Sequence, residues 1–189
     1  MEREEAVKIV NDLVESKNIR YHCLAAEAAM IALYGHFEKQ GKVDAGTRQD
    51  WGIVGLLHDA DYEVTNKSLE LHTQETTKKL KEVGAPKEII DAVRGHADKE
   101  SRETLMAKAI YAADEMTGLI VAAALVRPDK KLEGLTAESV LKRFKEPAFA
   151  RSANREQIKT CENELGISLP EFTEVILNSM KEISKEIGL

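Results

Sequence analysis

Apolar residues recur at helical period along almost the whole chain. In residues 2–16, Val7, Val10, Leu13 and Val14 fall on one face of an opening helix. A longer stretch from about Arg20 to Lys39, rich in alanine (HCLAAEAAMIALYGHF), predicts a second, and GKVDAG then reads as a turn. TRQDWGIVGLLHD predicts a third helix, with Thr47 and Asp50 supplying the polar groups that helix N-termini prefer. After the loop DADYEVTN, helical periodicity resumes over residues 68–83 and stops at Gly84. Pro86 opens PKEIIDAVRGHA in the first-turn position that proline favours. The polar segment ADKESRE leads into the longest apolar helix, TLMAKAIYAADEMTGLIVAAALV, which ends before Arg127 and Pro128. LTAESVLKRF, ANREQIKTCENELG and a final helix from Leu169 to about Ile187 complete the chain. No stretch alternates at strand period. The pattern predicts an all-α fold in a single domain over residues 1–189, with a core over about 18–126 and C-terminal helices in 136–189 packed on it.

A chain of 189 residues can bury a core without disulfides or structural metals. The net charge of −6 is interspersed rather than blocked, and no basic stripe is present to grip a phosphate backbone. Nucleic acid is therefore not expected as a partner, whereas a single nucleotide or phosphate ester fits a locally positive pocket. Cys23 and Cys161 form no CxxC pair and suggest no disulfide framework. The charged start MEREEAVKIV is unlike a secretory signal, and MTGLIVAAALV is too short to span a bilayer. The expectation is a cytoplasmic protein with no membrane partner.

Against this background a few ionisable groups stand on apolar faces. Asp114 shares its helical face with Ala107, Ile110, Tyr111, Thr117, Gly118 and Val121, where a carboxylate is costly without a partner charge or metal. His22 shares its face with Ala25, Ala26, Ala29 and Leu33. His58 follows Trp51, Val54 and Gly55, and His96 follows Ile89, Ala92 and Val93. His72 has Leu69 and Thr76 beside it but also Glu75 and Lys79, and His36 has no comparable setting. Taken singly, each is readable as a core histidine with a satisfied hydrogen bond, or as an aspartate capping a helix or pairing with an arginine. Four helices each turning such a group inward would converge in one bundle core, and bundles build metal sites in this way.

The order His22, His58-Asp59, Asp114 resembles the HD-domain superfamily of metal-dependent phosphohydrolases, an all-α helical bundle named for its paired His-Asp. The lead-in GLLHD is similar to the way that family places its doublet at a buried helix end. The chain also resembles the small HDIG-type predicted hydrolases, but its doublet is followed by Ala60-Asp61 rather than Ile-Gly. The resemblance implies that His22, His58, Asp59 and Asp114 hold a divalent cation. The mixed N/O donor set suits Mn²⁺, Fe²⁺, Zn²⁺, Ni²⁺ or Mg²⁺, and a bound water would be activated as the nucleophile. Several HD families place two further histidines between doublet and closing aspartate. His72 and His96 occupy that interval, which implies one or two ions per chain, with Asp59 bridging. The competing reading has one or both of these histidines contact substrate phosphate or shuttle a proton, and His96 is then the better catalytic candidate.

Asp61 and Glu63 follow the doublet closely enough to be catalytic candidates, orienting water or protonating a leaving group; otherwise they are polar residues opening a surface loop. Arg20, Arg127 and Lys130 are candidate contacts for substrate phosphate or else solvated surface cations. GKVDAGTR has the first spacing of a phosphate loop, but Thr-Arg replaces Lys-Ser/Thr and no strand precedes it. Cys23 turns onto a different face from His22, which disfavours a Cys–His nucleophile pair. In the C-terminal helices Phe149, Ile158, Leu165, Phe172, Ile176 and Met180 pack against the bundle or a second subunit, the latter giving a homodimer. The expected activity is cleavage of a phosphoester of a small phosphorylated substrate, a nucleotide by preference. The alternatives are a nucleotide-binding regulatory protein with a non-catalytic metal and a di-iron oxygenase.

Overall fold

The computed structural model describes residues 1–189, folded as nine helices and no strand. In chain order they are α1 (Arg3–Leu13), α2 (Lys17–Glu38), α3 (Arg48–Leu57), α4 (Gln74–Glu82), α5 (Lys87–Gly95), α6 (Leu105–Leu125), α7 (Ala137–Phe144), α8 (Arg155–Glu164) and α9 (Leu169–Glu182). The two long helices, α2 and α6, form the axis of the bundle. α3 and α9 pack on α2, whereas α5 and α8 pack on α6. Between them lies one core of 47 buried apolar residues, in which Trp51, Phe37 and Phe172 are the largest fully buried side chains.

Local chemistry fixes the boundaries that matter. Thr47 and Asp50 cap α3 reciprocally, the Asp50 N–H donating to Thr47 Oγ1 and the Thr47 N–H to Asp50 Oδ2. α3 then runs apolar on all sides, as a helix surrounded by protein should, and every residue from Trp51 to Leu57 is buried. It meets α2 at very short range. A methyl group added at Gly55 would stand 2.4 Å from the Ala26 carbonyl oxygen, so only glycine admits this crossing. One turn beyond the contact in each helix lie His58 and His22. The position of the metal-ligand candidates on α2 and α3 is thus set by backbone approach.

The structure departs from the sequence pattern at three places. The buried stripe of α1 is Ala6, Ile9, Val10 and Leu13, with Val7 only half-buried at its edge. Pro86 stands at the cap of α5, one residue before its first turn. The larger departure is at residues 68–83: helix begins only at Gln74, and residues 58–73 wind through successive turns. Asn66, Lys67 and Thr73 take positive φ there. The reason is a buried carboxylate. Asp61 accepts hydrogen bonds from the N–H groups of Thr73 (2.9 Å) and Thr76 (3.2 Å), so α4 starts where that anion can meet its N-terminus.

Candidate metal centre

His58 and His96 occupy equivalent places, each capping the C-terminus of its helix, α3 and α5. Each donates from Nδ1 to the carbonyl three residues earlier, His58 to Gly55 at 2.8 Å and His96 to Val93 at 2.5 Å. His72, from the turn before α4, donates from Nδ1 to Asp61 Oδ1 at 2.9 Å. In all three the tautomer is fixed by a second group, which leaves the Nε2 lone pair directed inward. His22 enters from α2 and Asp114 from α6.

These side chains converge in two sets sharing one member. His22 Nε2 and His58 Nε2 are 3.0 Å apart, and Asp114 Oδ1 lies 2.9 Å from the first and 3.4 Å from the second. His72 Nε2 and His96 Nε2 are likewise 3.0 Å apart. Asp59 stands between. Its Oδ1 is 3.1 Å from His72 and 3.4 Å from His96, and its Oδ2 is 3.5 Å from His22 and 3.9 Å from His58. The ligand atoms of His22, His58, Asp59 and Asp114 form one group able to hold a cation, and those of Asp59, His72 and His96 form another.

The donor chemistry fits a metal. Two imidazole lone pairs facing each other repel unless a cation lies between them, and the committed Nδ1–H groups of His72 and His96 create that situation at their Nε2 atoms. Two nitrogens bound at about 2.1 Å to one ion, at right angles, stand about 3.0 Å apart. The His22–His58 and His72–His96 spacings match that figure. Without metal, protons take the cation's role. Burial lowers the pKa of His22, but its hydrogen bond to Asp114 and the charges of Asp114 and Asp59 outweigh it and hold the group at about 9. His72 is also held at about 9, against burial, by hydrogen bonds to Asp59 and Asp61. Burial works against the charged form of Asp59 too, yet the surrounding imidazoles keep it well below the usual carboxylate range. Asp114 is lowered in the same way by His22 and His58.

His58, His72 and His96 are buried, whereas His22, Asp59 and Asp114 are partly exposed to a cavity of about 680 Å³. α6, residues 96–99 just after α5, Tyr62 and Leu69 of the turn segment, and the segment 150–157 build its walls. Arg155 shapes the far side by gathering the carbonyls of Phe149, Ala150 and Ala153. Glu115 ties that segment to α6 by accepting from the Asn154 N–H at 2.9 Å.

Several sequence candidates lie elsewhere. Asp61 is fully buried behind His72 and its oxygens are committed to His72, Thr73 and Thr76, so it positions a ligand and does not reach substrate. Glu63 Oε2 accepts from the N–H groups of Glu15 and Ser16 at 2.9 Å, anchoring the start of α2. Arg20 is turned back onto Asn11 and the Val14 carbonyl. Arg127 pairs with Asp129 and packs over Gly134, and Lys130 sits exposed in the following turn. None of these five lines the cavity. His36 is also remote, beside Gln40 and Glu171. Lys99 contributes the cation of the cavity lining, next to Asp98, which pairs with Arg102, and together with Tyr62, Glu115, Ser152 and Gln157 as polar groups. Glu115 was missed in the sequence, although its place next to Asp114 on α6 could have pointed to it. Lys99 lies in a polar loop segment and carried no signal.

Cys23 and Cys161 are both free and buried. Burial raises the Cys23 thiol well above its ordinary value and pushes Cys161 up to about 12, which leaves neither as a nucleophile.

Fold and centre together define an all-α protein with a His/Asp core able to hold metal. The chain belongs to the HD-domain family, whose model matches residues 19–119. That span contains His22, His58, Asp59, His72, His96 and Asp114. Among curated proteins it is similar to ribonuclease Y of Thermus thermophilus, at 33% identity over 106 residues. The alignment covers 54% of this chain but 18% of that relative. No solved structure matches. Membership implies hydrolase-type chemistry dependent on a metal, and no helix is long and apolar enough to cross a membrane.

Proposed function

We propose that the protein is a metal-dependent phosphohydrolase cleaving a phosphoester of a small phosphorylated substrate, with nucleotides as the first class to test. The observation that carries this reading is the division of Asp59 between two histidine pairs, Oδ1 toward His72 and His96 and Oδ2 toward His22 and His58. His22, His58, Asp114 and Asp59 would hold one divalent cation, and Asp59, His72 and His96 a second. When bound, the ions supply Lewis-acid polarisation of a phosphoryl oxygen and a water acidic enough to attack near neutral pH.

The rest falls to the chain. Asp61 holds the His72 ring so that its Nε2 stays aimed at the centre. Lys99 brings positive charge to the substrate phosphate, the role expected of Arg20, Arg127 and Lys130. Glu115 faces the same cavity, and burial raises its pKa, which favours a carboxyl group able to hand a proton to the departing oxygen. A cavity of about 680 Å³ suits a molecule of nucleotide size. The single lysine and the net charge of −6 argue against an extended nucleic acid and against a membrane surface. RNA cleavage is the second reading, favoured by the name of the similar relative. The test is turnover of nucleoside monophosphates, triphosphates, cyclic nucleotides and a single-stranded RNA, each with Mn²⁺, Ni²⁺ and Mg²⁺. Asp59→Ala should reduce every metal-stimulated activity by about 10²–10³-fold or more. Full activity in that variant would remove the centre from the reaction, and turnover of RNA alone would install the second reading.

A further inference from the structure

A second cavity, of about 420 Å³, adjoins the metal centre on the side of α2 and α6. It is mainly apolar, built from Tyr21, Val121, Leu125, Ile187 and Leu189, with Asn18 as its polar corner. Both cavities include His22 and Gly118 in their linings, so they adjoin at these two residues. Gly118 lies one helical turn beyond Asp114 on α6, with Val121 and Leu125 following on the annex side and Ala122 on the polar side.

Gly118 is unexplained by packing. Its φ is not positive, and a methyl group there would touch nothing within 4 Å. Glycine inside a helix costs about 1 kcal/mol relative to alanine, so this residue weakens α6 without relieving any contact in the protein. Gly55 is the contrast, since there the neighbouring backbone forbids any side chain. At Gly118 a side chain would enter open space at a residue that lines both the polar cavity and the apolar one.

We propose that the apolar annex receives the organic group of a phosphomonoester whose phosphate lies on the metal centre, and that Gly118 keeps the passage between them open. The proposal rests on the phosphohydrolase reading for the identity of the head group. It assigns the substrate an apolar body next to its phosphate, and it makes Gly118, Val121 and Leu125 determinants of specificity.

The experiment is calorimetric binding of methyl-, butyl- and hexylphosphonate, which are not hydrolysed, to the Mn²⁺-loaded protein. Burying the alkyl chain predicts that hexylphosphonate binds at least about tenfold more tightly than methylphosphonate, since each methylene withdrawn from water is worth up to about fourfold. Gly118→Leu should bring the hexyl-to-methyl ratio close to one. Leu125→Asp, at a half-exposed side chain where folding is not at stake, should lower it as well. Equal affinities in the unaltered protein, no binding of either phosphonate, or a ratio that survives both substitutions would each overturn the proposal. A normal ratio with no turnover of hexyl phosphate or of any nucleotide tested would uphold the annex and overturn the hydrolase reading instead.

Discussion

The two halves of the centre reach the same geometry by different construction. His22, His58 and Asp114 stand on helices or at a helix end, and the spacing of the two histidines follows from the close crossing of α2 and α3 at Gly55. His72 stands in a turn, and Asp61 holds its ring from behind. Only His96, at the end of α5, is placed as the first set is. One half is positioned by backbone packing, the other by a buried hydrogen bond. The two should therefore fail separately, except at the residue they share.

Asp59→Ala should produce the largest effect, because it removes a ligand from both halves at once. Metal content per chain, measured by elemental analysis after purification without chelator, should fall in both sets, alongside the loss of turnover. His72→Ala or His96→Ala should instead remove one ion and leave one. Metal content unchanged in those two variants would reduce the centre to a single ion.

Gly55→Ala should come next. Its methyl group would stand 2.4 Å from the Ala26 carbonyl oxygen, where backbone cannot yield as a side chain can. Overpacking of this kind costs about 1–3 kcal/mol, read as a lowered Tm, and it should weaken the His22–His58 half first. Asp61→Asn should act on the other half. Loss of the group that orients a ligating histidine costs about 10–100-fold in metal affinity, and here the loss should be confined to the His72–His96 ion. The same substitution weakens the N-terminus of α4, so hydrogen exchange at Thr76 should rise with it.

A smaller effect concerns pH. Without metal, the contribution of His22 and His72 to stability is fully present below their unfolded value of 6.5. It is lost as the pH rises through about 9. Asp59 and Asp114 act with the opposite sign: their contribution is present above the ordinary value of 3.8 and fades as the pH falls below it. Both histidines must shed protons to ligate, so metal uptake at pH 7 should release about two protons. Titration calorimetry in buffers of different ionisation enthalpy measures that number directly. Smallest of all, Arg127→Ala should leave turnover within about twofold, since that side chain is spent on Asp129.

The same contrast governs what the sequence could disclose. His22, His58, His96 and Asp114 were legible because a helix converts spacing into direction, and an ionisable group on an apolar stripe is conspicuous there. The capping pair Thr47 and Asp50 was legible for the same reason. His72 was ambiguous because residues 68–73 have helical periodicity but are held in turns by Asp61, a contact between residues that spacing does not relate. Asp61 and Glu63 look equally available beside the doublet, yet each is consumed by backbone N–H groups far along the chain. The cations misled in the same way: Arg20 and Arg127 have local partners, while Lys99, in a featureless loop, lines the cavity.

The ligand set also has a topological meaning. It begins at residue 22 and ends at residue 114, so an ion held by His22, His58, Asp59 and Asp114 would close a loop through about half of the chain. Such a clip removes closure entropy from the unfolded ensemble much as a long-range disulfide would. It draws together α2, α3, α5 and α6 together with the turn that carries His72, while α7, α8 and α9 lie outside it. Metal occupancy should therefore partition the molecule into cooperative units, with the clipped segment the last to exchange its amides and α7 and α8 among the first.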